Sequence, residues 1–218
     1  MHRPVMSNEV IEYLNIGLGA RIIDATIDGG GHTKAILNKF PDIKILGIEF
    51  DPVLFKNCKL EIENLSQNVI LTNDSYVNLK SVVDKYSFQP DGIVFDLGLS
   101  SWHYEQSGRG FTFMKDEPLD MRFNPAETLG TAADIINTYS YEDLEKVISE
   151  YGEEKFSGEI SKGIIKARKI KPITTTTELV GVIKASVPGW YQKKKIHPAT
   201  KTFQALRIEV NDELNNVE

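Results

Sequence analysis

Three acidic residues and one glycine cluster in the first hundred residues have the types and spacing of a nucleoside-binding site. Asp24, Glu49 and Asp96 each end or closely follow a short apolar run, and glycines occupy positions 29–31. Glycine lets a ligand approach the backbone where a Cβ would collide. A carboxylate roughly 20 residues further on can accept both hydroxyls of a ribose. Since ligands of open α/β sheets bind outside the carboxyl ends of the strands, we expect the three carboxylates to meet in one crevice.

The sequence around these residues predicts the alternation of strands and helices that such a sheet requires. Short β-branched and apolar runs predict buried parallel strands near 21–25, 43–49, 68–72 and 92–96. Helical patterns fill the intervening segments 31–39, 52–64 and 76–86. This order is typical of an α/β fold with a parallel sheet and flanking helices.

The glycine cluster also indicates which nucleoside would bind. The chain reads DGGGH rather than the G-x-G-x-x-G of dinucleotide enzymes, and no lysine follows the glycines as in a P-loop. This pattern argues against NAD and ATP and favours S-adenosylmethionine, which has a nucleoside but no phosphate. The alternative is a glycine-rich surface turn followed by an unrelated acidic residue.

Three side chains near the predicted strand ends are candidates for specific roles in binding or catalysis. Asp96 is the candidate catalytic residue, because its carboxylate could accept a hydrogen bond from an exocyclic amine and orient the nitrogen lone pair towards a methyl donor. Tyr76 follows the third predicted strand, where an adenine can stack, and His32 could contact the donor's carboxylate. Simpler roles stay open: Asp96 capping a turn, Tyr76 packing, and His32 capping or packing at a helix start.

The second half of the chain predicts a separate helical domain. Residues 98–127 form a polar segment that is too long for an ordinary loop between a strand and a helix. From Thr131 onwards, the apolar residues have helical spacing. Three Ser or Thr residues have an acidic residue three positions on, as in capping boxes: Thr131 with Asp134, Ser140 with Asp143, and Thr175 with Glu178. We expect residues 1–104 and 197–218 to form the sheet domain and residues 105–196 to form a helical insertion. The last segment of the insertion, 187–195, is predicted to be a loop, and the final helix is predicted to begin near Pro198.

The charge distribution indicates a polyanionic partner. The net charge is −6, yet residues 155–207 contain 12 Lys and Arg against 2 Asp and Glu, which favours one basic face for a nucleic acid. A solvated, lysine-rich helix is the alternative. The substrate-binding candidates are Lys193, Lys194, Lys195, His197 and Lys201, together with Arg109, Asp120 and Arg122 from the polar loop. The last three could equally form a structural ion-pair cluster.

Other classes of protein are disfavoured by the composition. Cys58 is the single cysteine and the four histidines lack metal-ligand spacing, so we expect neither disulfides nor a bound metal. No apolar run reaches the roughly 20 residues of a membrane span, and the first residues lack a signal-peptide pattern. We therefore expect a cytoplasmic protein without membrane contact.

Taken together, these motifs resemble those of a bacterial family of S-adenosylmethionine-dependent methyltransferases that make N4-methylcytidine in 16S ribosomal RNA of the small subunit. The resemblance covers residues 2–218 and rests on HRPVMSNEV, DATIDGGGHT, GIEFDP, DLGLSSW, RGFTF, PLDMR, YGEE and HPATKTFQALRIEVNDEL. It implies a Rossmann-like class I methyltransferase domain interrupted by a helical substrate-recognition domain. It also implies donor-binding roles for Gly30, Gly31, His32, Glu49, Tyr76, Asp96 and His103.

The chain departs from this family at three points. Asp28 stands where the family usually has glycine, and His103 replaces a usual glutamine. The family also continues beyond NDEL with the last strands of its sheet, so we expect a truncated chain with an open sheet edge. A small-molecule methyltransferase and an inactive RNA-binding fragment are the rival functions, and both a monomer and a homodimer remain open.

Overall fold

The computed structural model describes residues 4–62 and 66–217. Contacts divide the chain into two compact units, Met1–Ser101 and Trp102–Glu218. The first unit contains the sheet, and the second is helical.

The first unit is built on four parallel strands. These are β1 (Arg21–Asp24), β2 (Lys44–Glu49), β3 (Val69–Asn73) and β4 (Gly92–Val94), in the spatial order β3-β2-β1-β4. Each neighbouring pair is parallel, with Asp24 opposite Gly47 of β2 and opposite Val94 of β4. The order reverses between β1 and β4, which makes that gap the topological switch point where ligands of such sheets bind.

Helices between the strands complete the predicted α/β pattern. They are α2 (Gly31–Lys39), α3 (Pro52–Ile62) and α4 (Leu79–Tyr86), with a 3-10 turn at Tyr76–Asn78, and a further helix, α1 (Ser7–Tyr13), precedes β1. Asp51 caps α3, since its Oδ1 accepts from the amides of Val53 and Leu54. The last two residues of the helix predicted over 52–64 lie outside the described residues.

The strands bury alternate side chains on opposite faces, because successive Cβ atoms of a strand point to opposite sides of the sheet. Ile22 and Ile45 pack with Ile36 of α2 on one face. Ile23 and Leu46 pack on the other face, in a cluster that includes Val82 of α4 and Phe88. The parallel sheet with helices on both faces confirms the predicted Rossmann-like α/β fold.

The second unit consists of helices connected by a long polar loop. Its first helix, α5 (Ser101–Glu105), begins at the last residue of the first unit, and the others are α6 (Ala132–Thr138), α7 (Tyr141–Glu150), α8 (Ser157–Arg168), α9 (Thr176–Ser186), α10 (Gly189–Gln192) and α11 (Thr200–Asn211). Helix α8 packs against α7 and α9. The predicted loop at 187–195 was wrong in part, since it contains the short helix α10.

Helix starts follow the sequence signals closely. Thr131 and Thr175 form complete capping boxes with Asp134 and Glu178, as predicted. Ser140 accepts from the amide of Asp143 at 3.1 Å and caps α7. These local hydrogen bonds satisfy helical amides that have no partner within the helix.

The final helix packs within the second unit. Helix α11 contacts α6 and α7, and the assignment of residues 197–218 to the sheet domain stays a prediction. The physical reason is its apolar face, since Phe203, Leu206 and Val210 are all buried. Whether the helical segment is an insertion within a longer sheet domain stays a prediction. Among the described residues, no helix is long and apolar enough to cross a membrane.

Candidate S-adenosylmethionine site

Asp24 lies at the carboxyl end of β1 and is buried, with 1% of its surface exposed. Its Oδ2 accepts a 2.7 Å hydrogen bond from Thr33 Oγ1 of α2. Its Oδ1 has no hydrogen-bond partner among the described residues. Burial raises the pKa of this carboxyl, against the lowering effects of Thr33 and His32. A buried oxygen without a partner is costly, so this atom is a candidate acceptor for a ligand.

The glycine turn carries the chain from β1 into α2. Gly30 has a φ of 74°, a left-handed conformation, and a Cβ there would lie 2.7 Å from Ile62 Cδ1. Gly31 begins the helix, and its missing Cβ would lie 3.1 Å from Pro4. The left-handed backbone therefore favours glycine at position 30.

Asp28 precedes these glycines and also adopts a left-handed conformation, with φ at 49°. The left-handed conformation explains why glycine suits position 28, and aspartate is among the few other residues that tolerate this conformation. Burial, and next the charges of Asp24, Asp96 and Asp51, raise the pKa of Asp28 to about 7. The departure at position 28 thus adds a carboxylate to an already acidic crevice.

Glu49 ends β2, next to β1, and is also buried. Its Oε1 accepts a 2.8 Å hydrogen bond from the amide of Asp51. Burial, and then the charge of Asp28, raise its pKa well above the ordinary value of a glutamate. The structure places Glu49 where a ribose-binding acid is expected in this fold.

His32 and Asp96 meet across the switch point. His32 Nε2 of α2 lies 3.3 Å from Oδ2 of Asp96, which follows β4. The histidine side chain is buried, whereas 36% of the aspartate side chain is exposed. The amide of Asp96 donates to Thr26 Oγ1 at 2.7 Å, which holds this backbone beside the end of β1. One carboxylate of the crevice is thus both fixed and accessible to a ligand.

Tyr76 lies in the 3-10 turn after β3, and its ring is half-buried. It packs edge-on against Phe95, with 5.8 Å between the ring centroids. Phe95 is 47% exposed, so this pair could present an aromatic wall to an adenine. The adenine-stacking role stays a prediction, since packing alone also accounts for the position of Tyr76.

The remaining donor-binding candidate, His103, belongs to the helical unit. Its ring is buried and packs edge-on against the rings of Trp102, Phe111 and Phe123, with centroids 5.0–5.3 Å away. Its role towards a donor stays a prediction.

In the polar loop, Arg109, Asp120 and Arg122 form a hydrogen-bonded cluster, which was the structural alternative to substrate binding. Arg122 donates to both carboxylate oxygens of Asp120, at 2.8 and 2.7 Å. Arg109 donates to the carbonyls of Arg122 and Phe123 at 2.8 and 2.7 Å. Burial raises the pKa of Asp120, but the hydrogen bonds from Arg122 outweigh it and lower the pKa overall. These contacts hold the loop together, and substrate contact by the three residues stays a prediction.

The basic candidates near α11 occupy different environments. Lys193, Lys194 and Lys195 are exposed. His197 stacks on Phe113 with centroids 4.6 Å apart, and burial, with a smaller effect of Lys184, lowers its pKa. Lys201 Nζ donates to the carbonyl of Glu153 at 2.6 Å. The three consecutive lysines are therefore the most accessible to an RNA phosphate.

One acidic residue near the site, Asp51, was not predicted from the sequence. Asp51 carries charge close enough to raise the pKa of both Asp28 and Glu49. An Asp before a proline at a helix start is a recognisable capping signal, but its electrostatic effect depends on the packing. Asp24 was predicted to lie at the site. The lack of a hydrogen-bond partner for its Oδ1 among the described residues depends on the tertiary packing and could not be predicted from the sequence.

Comparisons with known proteins identify the family of this chain. The sequence matches the MraW methylase family over residues 1–218. A curated relative from Dehalococcoides mccartyi, named ribosomal RNA small subunit methyltransferase H, is 44% identical over all of this chain and 61% of its own length. Proteins of the same name from Clostridium botulinum and Dictyoglomus thermophilum are 42% and 43% identical, over 98% and 99% of this chain and 69% and 72% of their own lengths. This chain thus spans about three fifths of the first relative, and it belongs to the MraW methylase family.

Proposed function

We propose that the protein transfers a methyl group from S-adenosylmethionine to the exocyclic N4 amine of a cytidine in 16S ribosomal RNA. The observation that carries the proposal is the group of acidic side chains beside the glycine turn: Asp24 accepts from Thr33 of α2, Asp96 contacts His32 of α2, and Glu49 ends the neighbouring strand β2. The family membership and the names of the relatives support a methyltransferase that acts on ribosomal RNA.

The residues of the crevice fit this donor. S-adenosylmethionine has a positively charged sulfur and an ammonium group, and the crevice contains raised-pKa carboxyls at Asp24, Asp28 and Glu49. A cation stabilises the charged form of such groups. The absence of a phosphate-binding lysine after the glycines agrees with a donor that has no phosphate.

Each residue then has a defined task. Glu49 would accept the ribose hydroxyls, Gly30 and Gly31 would let the donor approach the backbone, and His32 would help to position Asp96. When bound, the donor supplies an electrophilic methyl group. Asp96 would accept a hydrogen bond from the cytosine amine and orient its lone pair. The proton that the amine loses can pass to water, because the methylated ammonium is acidic.

The basic segment 155–207 supports RNA rather than a small molecule as the methyl acceptor. Its balance of 12 basic against 2 acidic side chains suits phosphate contacts, which position a nucleic acid without reading its sequence. The Lys193–195 run would supply such contacts. A substrate in the small ribosomal subunit would place the protein in the cytoplasm.

The experiment that tests the proposal has two parts. Titration calorimetry measures binding of S-adenosylmethionine, and methyl transfer to 30S subunits is followed by mapping of the modified nucleotide. Donor binding and an N4-methylcytidine in 16S RNA are expected. RNA binding without donor binding would indicate an RNA-binding fragment, and donor binding without transfer to 30S subunits would favour another acceptor.

A further inference from the structure

One exposed aromatic side chain lies beside lysines of the basic segment. Trp190 of α10 is 56% exposed, whereas its neighbour Tyr191 is only 8% exposed. The Lys155 ammonium lies 4.4 Å from the centroid of the Trp190 ring, and that of Lys194 lies 5.4 Å from it. Proteins that bind single-stranded nucleic acids combine positively charged side chains with aromatic rings on which the bases stack. The exposed indole and its neighbouring lysines form such a combination.

This aromatic group is held in place by a buried carboxylate. Glu154 is 2% exposed and accepts a 2.6 Å hydrogen bond from the Tyr191 hydroxyl and a 2.9 Å bond from the Phe156 amide. The Phe156 ring packs against Tyr191 and Trp190, with centroids 4.8 and 6.0 Å away. Because the supporting rings are already ordered, a base that stacks on Trp190 needs little additional ordering of the protein.

We propose that Trp190, Lys155 and Lys194 bind one unpaired nucleotide of an RNA single strand, with the base stacked on the indole and the lysines on flanking phosphates. This inference rests on the proposed RNA substrate and adds a base contact outside the crevice. Lysine has a flexible four-carbon stem, so each ammonium can move from the ring to a phosphate. Every base has a π face, so the contact is independent of sequence.

The charge around Trp190 favours RNA over a protein partner. Lys193 and Lys195 flank Lys194, and the whole segment 155–207 carries an excess of ten positive charges from 12 basic and 2 acidic residues. Phosphates neutralise such an excess, with release of counterions. A second copy of this chain that docks through the same surface would bring the same positive charge to the interface.

The test separates base stacking from phosphate contact with two probes. One is a fluorescently labelled ten-nucleotide single strand of cytidine and uridine, and the other is the same strand with abasic sites. Trp190→Ala is expected to weaken binding of the intact strand by roughly 5- to 150-fold, with little effect on the abasic strand. Trp190→Phe should retain most of the affinity. Lys155→Gln with Lys194→Gln should weaken binding of both strands.

Matched controls distinguish a loss of RNA binding from misfolding and from effects at the donor site. Ile170 is 84% exposed in the same basic segment, so Ile170→Ala should bind both strands like the parent. Quenching of protein fluorescence by the intact strand, absent in Trp190→Phe, gives a second readout that needs no destabilising variant. No donor is present in these assays, so a parent protein that fails to bind donor contradicts the proposed function without affecting this test.

Three results would overturn the inference. These are unchanged affinity of Trp190→Ala for the intact strand, an equal loss for both strands, and tighter binding of duplex than of single-stranded RNA. Self-association that disappears in Trp190→Ala would assign this surface to a second copy of the chain instead.

Discussion

The Nε2 of His32 lies 3.3 Å from Oδ2 of Asp96 and connects the start of α2 to the segment that follows β4. The contact spans the gap between β1 and β4, where the strand order reverses. One oxygen of Asp96 therefore faces a buried histidine, and the partly exposed carboxylate can still accept from a substrate amine. This arrangement makes Asp96 the group whose replacement best separates catalysis from donor binding.

Asp96→Asn is expected to lower kcat more than it weakens donor binding. The amide keeps the size of the side chain but loses the charged acceptor for the cytosine amine, and interactions formed mainly in the transition state appear in kcat. Single-turnover methyl transfer and donor titration on the same preparation measure the two effects. Weakened donor binding with normal kcat would make Asp96 a donor ligand only.

Glu49→Ala is expected to reduce donor affinity by roughly one to two orders of magnitude. Hydrogen bonds to a charged group contribute about 1.5–3 kcal/mol, and Glu49 would make them to the ribose. Calorimetric titration with S-adenosylmethionine measures the change, and Glu12→Ala, at an exposed position of α1, is the matched control. An unchanged dissociation constant would contradict the placement of the ribose.

Donor affinity is expected to increase as the pH rises through about 7, the pKa of Asp28. The donor is a cation, so it binds best when Asp28 is charged, and binding should release protons below that pH. Asp28→Asn should flatten the dependence, and the product S-adenosylhomocysteine, which lacks the sulfonium charge, should show less of it. Dissociation constants between pH 5.5 and 8.5 supply the comparison. A parallel pH profile in Asp28→Asn would exclude Asp28 as the cause.

The stability of the ligand-free protein should fall between about pH 4 and pH 7 because of Asp28, and Asp24 and Glu49, whose pKa values are also raised, act in the same direction. The folded-state pKa of Asp28, about 7, exceeds the unfolded value of about 4. In that window the folded state binds more protons, so the free energy of unfolding decreases as pH rises. Urea unfolding at several pH values should give a shallower decline for Asp28→Asn than for the parent. Identical slopes would show that Asp28 titrates normally.

Asp120→Ala is expected to destabilise the protein by about 1.5–3 kcal/mol, the contribution of charged hydrogen bonds. The substitution leaves the half-buried Arg122 guanidinium without its two carboxylate contacts. Thermal unfolding measures this loss, with the exposed Glu142→Ala of α7 as control. Unchanged stability with weaker RNA binding would instead assign the residue to the substrate.

Lys193→Gln, Lys194→Gln and Lys195→Gln together should weaken RNA binding and spare donor affinity. Removing up to about three phosphate contacts lowers the slope of log affinity against log salt by a corresponding amount. Neutralising Lys39, Lys80 and Lys85 of the first unit by the same change is the charge-matched control. A salt slope equal to that of the parent would make the Lys193–195 run a solvated surface.

The sequence by itself determined the local elements and the end of the sheet at which the acidic residues lie. Apolar runs predicted all four strands within one or two residues, and Thr131 and Thr175 predicted the starts of α6 and α9. These features depend on neighbours within a few positions, through side-chain periodicity and capping hydrogen bonds. The motifs also identified the family that the comparisons support.

The tertiary structure decided what depends on residues far apart in the chain. It placed α11 against α6 and α7, because burial of Phe203 and Leu206 requires a partner surface that no local pattern names. It gave Asp28 a pKa of about 7, since burial acts together with the charges of nearby Asp24 and of Asp51 and Asp96, which lie far away in the chain. Spacing along the chain locates a carboxylate at a strand end, but its charge state follows from the groups that the fold brings around it.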